Sequence, residues 1–221
     1  MHSDIRKSIV EVAKMMYAKG FVASNDGNIS VRLPGYRFLI TASGVSKGFM
    51  KRSDIILVDE NGNRLSGKKK PSSEIKMHLA VYRCRNDVNA VVHAHPQKAT
   101  AFSVAGLNLD RITLPEMVFG LGNIALTEYG TPSTDEIPEA ISKYLQSYDA
   151  VLLENHGALT FANSLLSAYH KMESVEFYAR LLYQSKMLGG PKELNPEQVK
   201  VLYQLRSQFG MTGKHPADKK V

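Results

Sequence analysis

The 221-residue chain contains a single cysteine, no tryptophan, and no apolar run approaching the roughly eighteen residues needed to span a bilayer. Cys84 lies between two arginines in a predicted helix and reads as an ordinary helix residue. A lone cysteine leaves no disulfide, no cysteine-based zinc site and no sign of an oxidising compartment. The opening residues are interrupted by Asp4, Arg6, Lys7, Glu11, Lys14 and Lys19, a pattern that does not fit a targeting or membrane segment, so a cytoplasmic protein with no membrane partner is expected. The missing tryptophan bears on the formal charge of +7. A nucleic-acid surface would interleave basic and aromatic side chains, but the excess lysines here fall in Lys68-Lys69-Lys70 and at Lys214, Lys219 and Lys220. No nucleic-acid partner is expected, and a mild positive field suits a small phosphorylated substrate equally well. With 43% hydrophobic residues, the chain can bury one substantial core, so one domain is expected.

Helical and extended patterns interleave without a linker or a repeat. Ile5, Ile9, Val12, Ala13 and Met16 recur at helical spacing within Asp4 to Lys19, and Gly20 is placed to end that helix. Asn28 to Leu33, Arg37 to Ile40 and Ile55 to Val58 read as strands, the last closed by the turn Glu60-Asn61-Gly62-Asn63. Helices are predicted over Glu74 to Arg85, Gln97 to Ala105, Ser164 to Leu188 and Pro196 to Ser207, with strands at Ala90 to His95 and Asp149 to Leu153. This is a helix and sheet sandwich with its chemistry at strand ends. The domain is expected over 1–210, and the polar, basic stretch 211–221 as a mobile tail.

Val91-Val92-His93-Ala94-His95 carries the chemistry. A strand's period of two puts His93 and His95 on one face, about 6 to 7 Å apart. A His-x-His pair alone is as common on a bland surface as at a metal. A third histidine, His156, follows a second buried run, with Gly157 expected to supply a tight turn that holds its ring at the strand's end. Three neutral imidazoles with one position left open describe a catalytic divalent metal site, zinc by preference, with manganese or cobalt as substitutes. The acidic partner is Glu74, at the start of the helix entering the His-x-His strand. Ser72 and Ser73, at the same helix N-terminus, suit a phosphate, and Gly27-Asn28 and Ser43-Gly44 are small polar turn pairs that admit close backbone approach to an anion. His78, four residues beyond Glu74 on the same helix face, could support that carboxylate but reads first as a polar helix residue, and His2, His170 and His215 have no partner evident in the sequence.

Together, Asn25-Asp26-Gly27-Asn28-Ile29-Ser30-Val31-Arg32, Ile40-Thr41-Ala42-Ser43-Gly44, Pro71-Ser72-Ser73-Glu74, Val91-Val92-His93-Ala94-His95 and Asn155-His156-Gly157 resemble the class II aldolase family in order and spacing. Its members include fuculose-phosphate aldolases, ribulose-phosphate 4-epimerases, methylthioribulose-phosphate dehydratases and the non-catalytic adducin head. The resemblance implies an α/β protein with a three-layer α/β/α sandwich, and a homotetramer with active sites between neighbouring subunits. It implies His93, His95 and His156 as zinc ligands, and Glu74 as the acid/base that also completes the metal shell without substrate. Gly27, Asn28, Ser43, Gly44, Ser72 and Ser73 would hold the phosphate. The implied reaction is reversible cleavage of a ketose 1-phosphate of the fuculose-, deoxyribulose- or methylthioribulose-phosphate kind to dihydroxyacetone phosphate and an aldehyde. Metal charge would stabilise the enediolate left when the C3–C4 bond breaks.

A dehydratase on the same scaffold is the alternative. Glutamate rather than aspartate after Ser-Ser disfavours the epimerase, and three histidines beside Glu74 disfavour an adducin-like module. One departure from the family pattern concerns the group that handles the C4 oxygen. The tyrosine that a neighbouring subunit contributes in the fuculose-type enzymes is absent from Leu114-Pro115-Glu116-Met117-Val118-Phe119-Gly120, and their tail tyrosine corresponds to Phe209. Glu116 and Tyr129 stay open as candidates, each with a structural role as the competing reading.

Overall fold

The computed structural model describes residues 2–217. The first apolar stripe forms α1 (Ser3–Ala18), burying Ile9, Val12, Ala13 and Met16. Next come β1 (Asn28–Leu33), β2 (Arg37–Thr41), β3 (Ile55–Val58) and β4 (Arg64–Ser66), then α2 (Ile75–Cys84), β5 (Ala90–Ala94) and α3 (Gln97–Val104). After these follow α4 (Pro115–Phe119), β6 (Ala125–Thr127), α5 (Glu136–Ser142), β7 (Ala150–Leu153), β8 (Gly157–Ala162), α6 (Leu165–Met187) and α7 (Pro196–Gln208). The strands form one sheet in the order β4-β3-β2-β1-β5-β8-β7-β6. Its neighbours run antiparallel except for the parallel pair of β6 and β7.

Helices cover both faces, giving the three layers. Register places Asn28 opposite His93 and Ser30 opposite Val91, so these side chains share a face, and α2 packs on it through bonds from His78 and Tyr82 to Ser30. The opposite face carries Ile29, Val92 and Thr160, and α6 lies over it with Thr160 donating to the Ala168 carbonyl at 2.8 Å. Ser164 caps α6 by accepting from the Ser167 N–H. The central strands β5, β7 and β8 are buried along their whole length, as a sheet covered on both sides requires.

The structure departs from the sequence reading in several places. β5 ends at Ala94, so His95 sits just beyond the strand, anchored by its N–H to the Phe21 carbonyl at 2.9 Å. The short elements β4, α4, β6 and α5, and the strand β8, lie in stretches without a predicted element. Gly157 makes no turn: Asn155 takes the left-handed conformation at φ 54°, and a Cβ on Gly157 would lie 2.5 Å from the Ala94 carbonyl oxygen. The glycine permits β8 to pass against the end of β5. Part of the stretch expected as a mobile tail is packed: residues 211–213 are exposed, but His215 is buried and bonds the Val118 carbonyl at 2.7 Å, and the Lys214 N–H donates to Asp149. Positions 218–221 lie outside the described residues.

Candidate metal centre and active site

The turn between β7 and β8 carries His156, and β8 pairs with β5 so that Leu159 faces His93. This hairpin brings the sequence-distant histidine onto the His-x-His pair. Ring centroids lie 4.9 Å apart for His93 and His95, 4.7 Å for His93 and His156, and 5.1 Å for His95 and His156. One ring nitrogen from each falls within 4.8 Å of the others. Glu74, the residue capping α2, points into the same cluster, with Oε2 3.4 Å from His93 Nε2 and Oε1 3.3 Å from His156 Nε2.

These donors fit a metal ion on three observations. His93 Nδ1 meets the Ala158 carbonyl at 3.0 Å, which makes Nδ1 the protonated nitrogen and leaves the Nε2 lone pair free. His93 and His95 Nε2 are 3.1 Å apart, close to the roughly 3.4 Å between nitrogens sharing one tetrahedral zinc. Glu74 Oε1 is buried without a hydrogen-bond partner, and such an atom is expected to meet a ligand. Burial, then the neighbouring His156 and His95, holds His93 well below the usual histidine range, and burial also lowers His156. Both rings are therefore neutral, the form that ligates. Asp26 Oδ2 lies 3.6 Å from His95 Nδ1 and extends the acidic side of the cluster.

Three loops expected to hold the phosphate come together beside this cluster. Ala42 bridges Pro71, the Ser43 N–H donates to the Lys70 carbonyl at 3.1 Å, and the Ser72 N–H donates to Thr41 at 3.0 Å. Thr41 Oγ1 accepts from the Ile29 N–H, tying Gly27 and Asn28 to the same corner. Gly27 is at φ 71°, and a Cβ there would lie 2.9 Å from the His93 carbonyl, so only glycine allows this approach. Ser43, Gly44 and Ser73 are exposed, while Ser72 is buried with its hydroxyl accepting from the Glu74 N–H. The Asn28 side chain, expected on the phosphate, is engaged elsewhere: its amide nitrogen donates to Glu74 Oε2 at 2.8 Å and its oxygen meets His78 Nε2 at 2.5 Å.

The two acid candidates separate. Tyr129 is exposed at the histidine end of the sheet, its N–H held by Glu154 in the turn that carries His156. Glu116 lines a cavity of about 410 Å³ with Arg85, Asp149, Lys171 and Gly213. Asp149 precedes β7 and the histidine turn follows it, so within one chain Glu116 lies at the opposite end of the sheet.

Two buried residues here differ from the sequence reading, which took His78 for a polar helix residue and did not single out Lys47. His78 joins Asn28 to Ser30. Lys47, 1% exposed, donates to the Asn25 and Val45 carbonyls at 3.0 and 2.9 Å, joining two of the expected phosphate loops. Burial lowers its ammonium to about 8. The i, i+4 spacing of His78 from Glu74 was the one available signal, and nothing marked Lys47.

The profile of the class II aldolase and adducin N-terminal domain matches residues 7–183. The chain belongs to this family. It is 36% identical over 174 residues to an L-fuculose phosphate aldolase of Methanococcus maripaludis, covering 79% of this chain and 93% of that protein. It is 33% identical over 207 residues to a 5-deoxy-D-ribulose 1-phosphate aldolase of Bacillus thuringiensis serovar kurstaki, covering 93% and 96%. A solved L-fuculose 1-phosphate aldolase superposes with a TM-score of 0.87 at 31% identity over 96% of this chain and 98% of that one. A 3-oxo-tetronate 4-phosphate decarboxylase of Escherichia coli is 32% identical over 187 residues, covering 83% and 88%. The relatives named here are lyases, and this chain is a class II aldolase-type enzyme with a cluster of three histidines that could hold a metal ion. Among the described residues no helix is long and apolar enough to cross a membrane.

Proposed function

We propose that this chain is a zinc-dependent aldolase that cleaves a ketose 1-phosphate reversibly into dihydroxyacetone phosphate and an aldehyde, acting as a cytoplasmic homotetramer. The observation that carries the reading is the Glu74 carboxylate lying between His93 and His156, with one oxygen buried and free of any hydrogen bond. His93, His95 and His156 would hold the metal, with Glu74 completing its shell when substrate is absent. Bound there, the metal would supply Lewis-acid charge to the C2 carbonyl and C3 hydroxyl oxygens of the substrate.

Gly27, Ser43, Gly44, Ser72 and Ser73 receive the phosphate, and Asn28, held between Glu74 and His78, borders that corner. As the C3–C4 bond breaks, its electron pair stays on the three-carbon fragment, the C4 hydroxyl loses its proton, and C4 becomes the aldehyde carbon. Glu74 delivers a proton to C3 of the resulting enediolate, giving dihydroxyacetone phosphate. Tyr129 from its own chain, or Glu116 reaching across from a neighbour, handles the proton on the C4 oxygen.

The decarboxylase relatives favour a second reading on the same residues. Loss of carbon dioxide from a 3-oxo-tetronate 4-phosphate leaves the same three-carbon enediolate, protonated at the same carbon. No acid at a C4 hydroxyl is then needed, which suits a chain with no tyrosine in its Leu114 to Gly120 segment and with Phe209 near the family's tail tyrosine. A dehydratase remains the third outcome.

A panel of ketose 1-phosphates and of 3-oxo acid phosphates, followed by a coupled assay for dihydroxyacetone phosphate, tests the reading. Release of that product with an aldehyde supports the aldolase, and release with carbon dioxide supports the decarboxylase. Conversion only to a diketone phosphate contradicts both and supports the dehydratase. Ser72→Asp should weaken apparent substrate affinity tenfold or more, on the order of 1.4 kcal/mol, with metal content unchanged.

A further inference from the structure

Four residues behind Glu74 form a buried line of polar groups. Asn28 Nδ2 lies 2.8 Å from Glu74 Oε2, His78 Nε2 is 2.5 Å from Asn28 Oδ1, Ser30 Oγ is 2.6 Å from His78 Nδ1, and the Tyr82 hydroxyl is 2.8 Å from Ser30 Oγ. Asn28, Ser30, His78 and Tyr82 are each less than 5% exposed. The line follows from two matched periods. Glu74, His78 and Tyr82 are spaced four apart, a rise of about 6 Å per step at the end of and along α2, while Asn28 and Ser30 are two apart on β1, a rise of about 6.6 Å.

The donor directions follow from the carboxylate end. An ionised carboxylate only accepts, so Asn28 turns its N–H₂ to Glu74 and its carbonyl to His78. The carbonyl requires a proton on His78 Nε2, which leaves Nδ1 to accept from the Ser30 hydroxyl. The Ser30 oxygen then accepts from Tyr82. Every donor points toward Glu74, and with a neutral His78 no second arrangement satisfies the whole line while the carboxylate is charged. We propose that His78, acting through Asn28 and backed by Ser30 and Tyr82, is a positioning residue that pins Oε2 of Glu74 and leaves Oε1 as its working oxygen. The inference rests on the reading of Glu74 as proton carrier. Burial also keeps His78 neutral, as this single tautomer requires.

Two independent measurements on the metal-loaded enzyme test it. Nitrogen-15 NMR of labelled histidine should show His78 protonated at Nε2 and bare at Nδ1; the Nδ1–H tautomer overturns the proposal whatever reaction the enzyme performs. Solvent deuterium exchange into dihydroxyacetone phosphate should show a kcat about ten- to a hundredfold lower in His78→Leu. KM for dihydroxyacetone phosphate and zinc content should stay within about twofold, and His78→Gln, which can still donate to Asn28, should recover most of the rate. An unchanged kcat, or a loss of zinc in parallel with rate, overturns the positioning role. If His78→Leu does not fold, Tyr82→Phe is read in the same way, since its ring keeps the stack on Phe38 at 4.8 Å. A wild type that exchanges no deuterium contradicts the reading of Glu74, and the tautomer then decides the hydrogen-bond line alone.

Discussion

Glu74 has two unlike oxygens, one hydrogen-bonded by Asn28 and one buried beside His156 without a hydrogen bond, and that asymmetry is the smallest unit of the proposed mechanism. The residue types of the centre were legible because strand alternation and the short runs before His93 and His156 limit where such rings can point. His78 was not, since a histidine on a helix face reads as polar surface until the strand opposite is known. Its burial has a measurable consequence. The ring titrates at about 4 in the folded protein and near 6.5 when unfolded. With the folded value depressed, the unfolded state takes up the proton first. The stabilisation is therefore complete above about pH 6.5 and is lost as pH falls toward 4, by about 3 kcal/mol across the window. Urea unfolding of chelator-treated protein between pH 7 and 4.5 should show a flatter pH dependence in His78→Gln than in the wild type. Equal slopes would contradict the burial argument.

At the scale of elements, α3 shows how a side chain distant in sequence secures the His-x-His turn. Pro96 gives α3 no side-chain cap. Glu176 on α6, 5% exposed, accepts instead from the N–H groups of Lys98 and Ala99, each at 3.0 Å. Glu176→Ala strands those donors and should cost about 1 to 3 kcal/mol in denaturant unfolding, with a loss of bound metal through the loosened His95 turn. A change within a few tenths of a kcal/mol would show that the cap is dispensable. The long periodic elements α1, α2, α6 and α7 and the strands β1, β2 and β3 were readable within a residue or two. β4, β6, α4 and α5 span only three to seven residues, too short for a period to stand out, and Pro138 interrupts the pattern of α5. The strand β8 was missed because its turn is made by Asn155 in a left-handed conformation, not by the glycine that follows.

For the whole molecule, the corner formed by α4, α7 and the chain beyond them is far from the chain's own histidines, yet it is carefully built. Arg206 donates to the Phe119 and Gly120 carbonyls, both at 2.6 Å, and Phe119 packs on Phe209 at 5.0 Å. In the proposed tetramer this corner would serve a neighbour's site. Subunits carrying Glu74→Gln and subunits carrying Glu116→Gln, each impaired alone, should then recover activity on mixing, because some sites regain both wild-type residues. No recovery in mixed oligomers confirmed by sedimentation would remove Glu116 from the site. The fold was legible as a sandwich, but which corner meets which site depends on a second copy of the chain, and a single chain's periodicity carries no such information.

The central claim is that a carboxylate beside a three-histidine metal exchanges a proton with C3 of dihydroxyacetone phosphate. Solvent deuterium incorporation into that compound, without any aldehyde, measures this step alone. The wild type should exchange, and Glu74→Gln, with zinc and phosphate binding intact, should exchange roughly a hundredfold or more slowly, as expected for deletion of a general base. Exchange by Glu74→Gln at the wild-type rate would contradict the account.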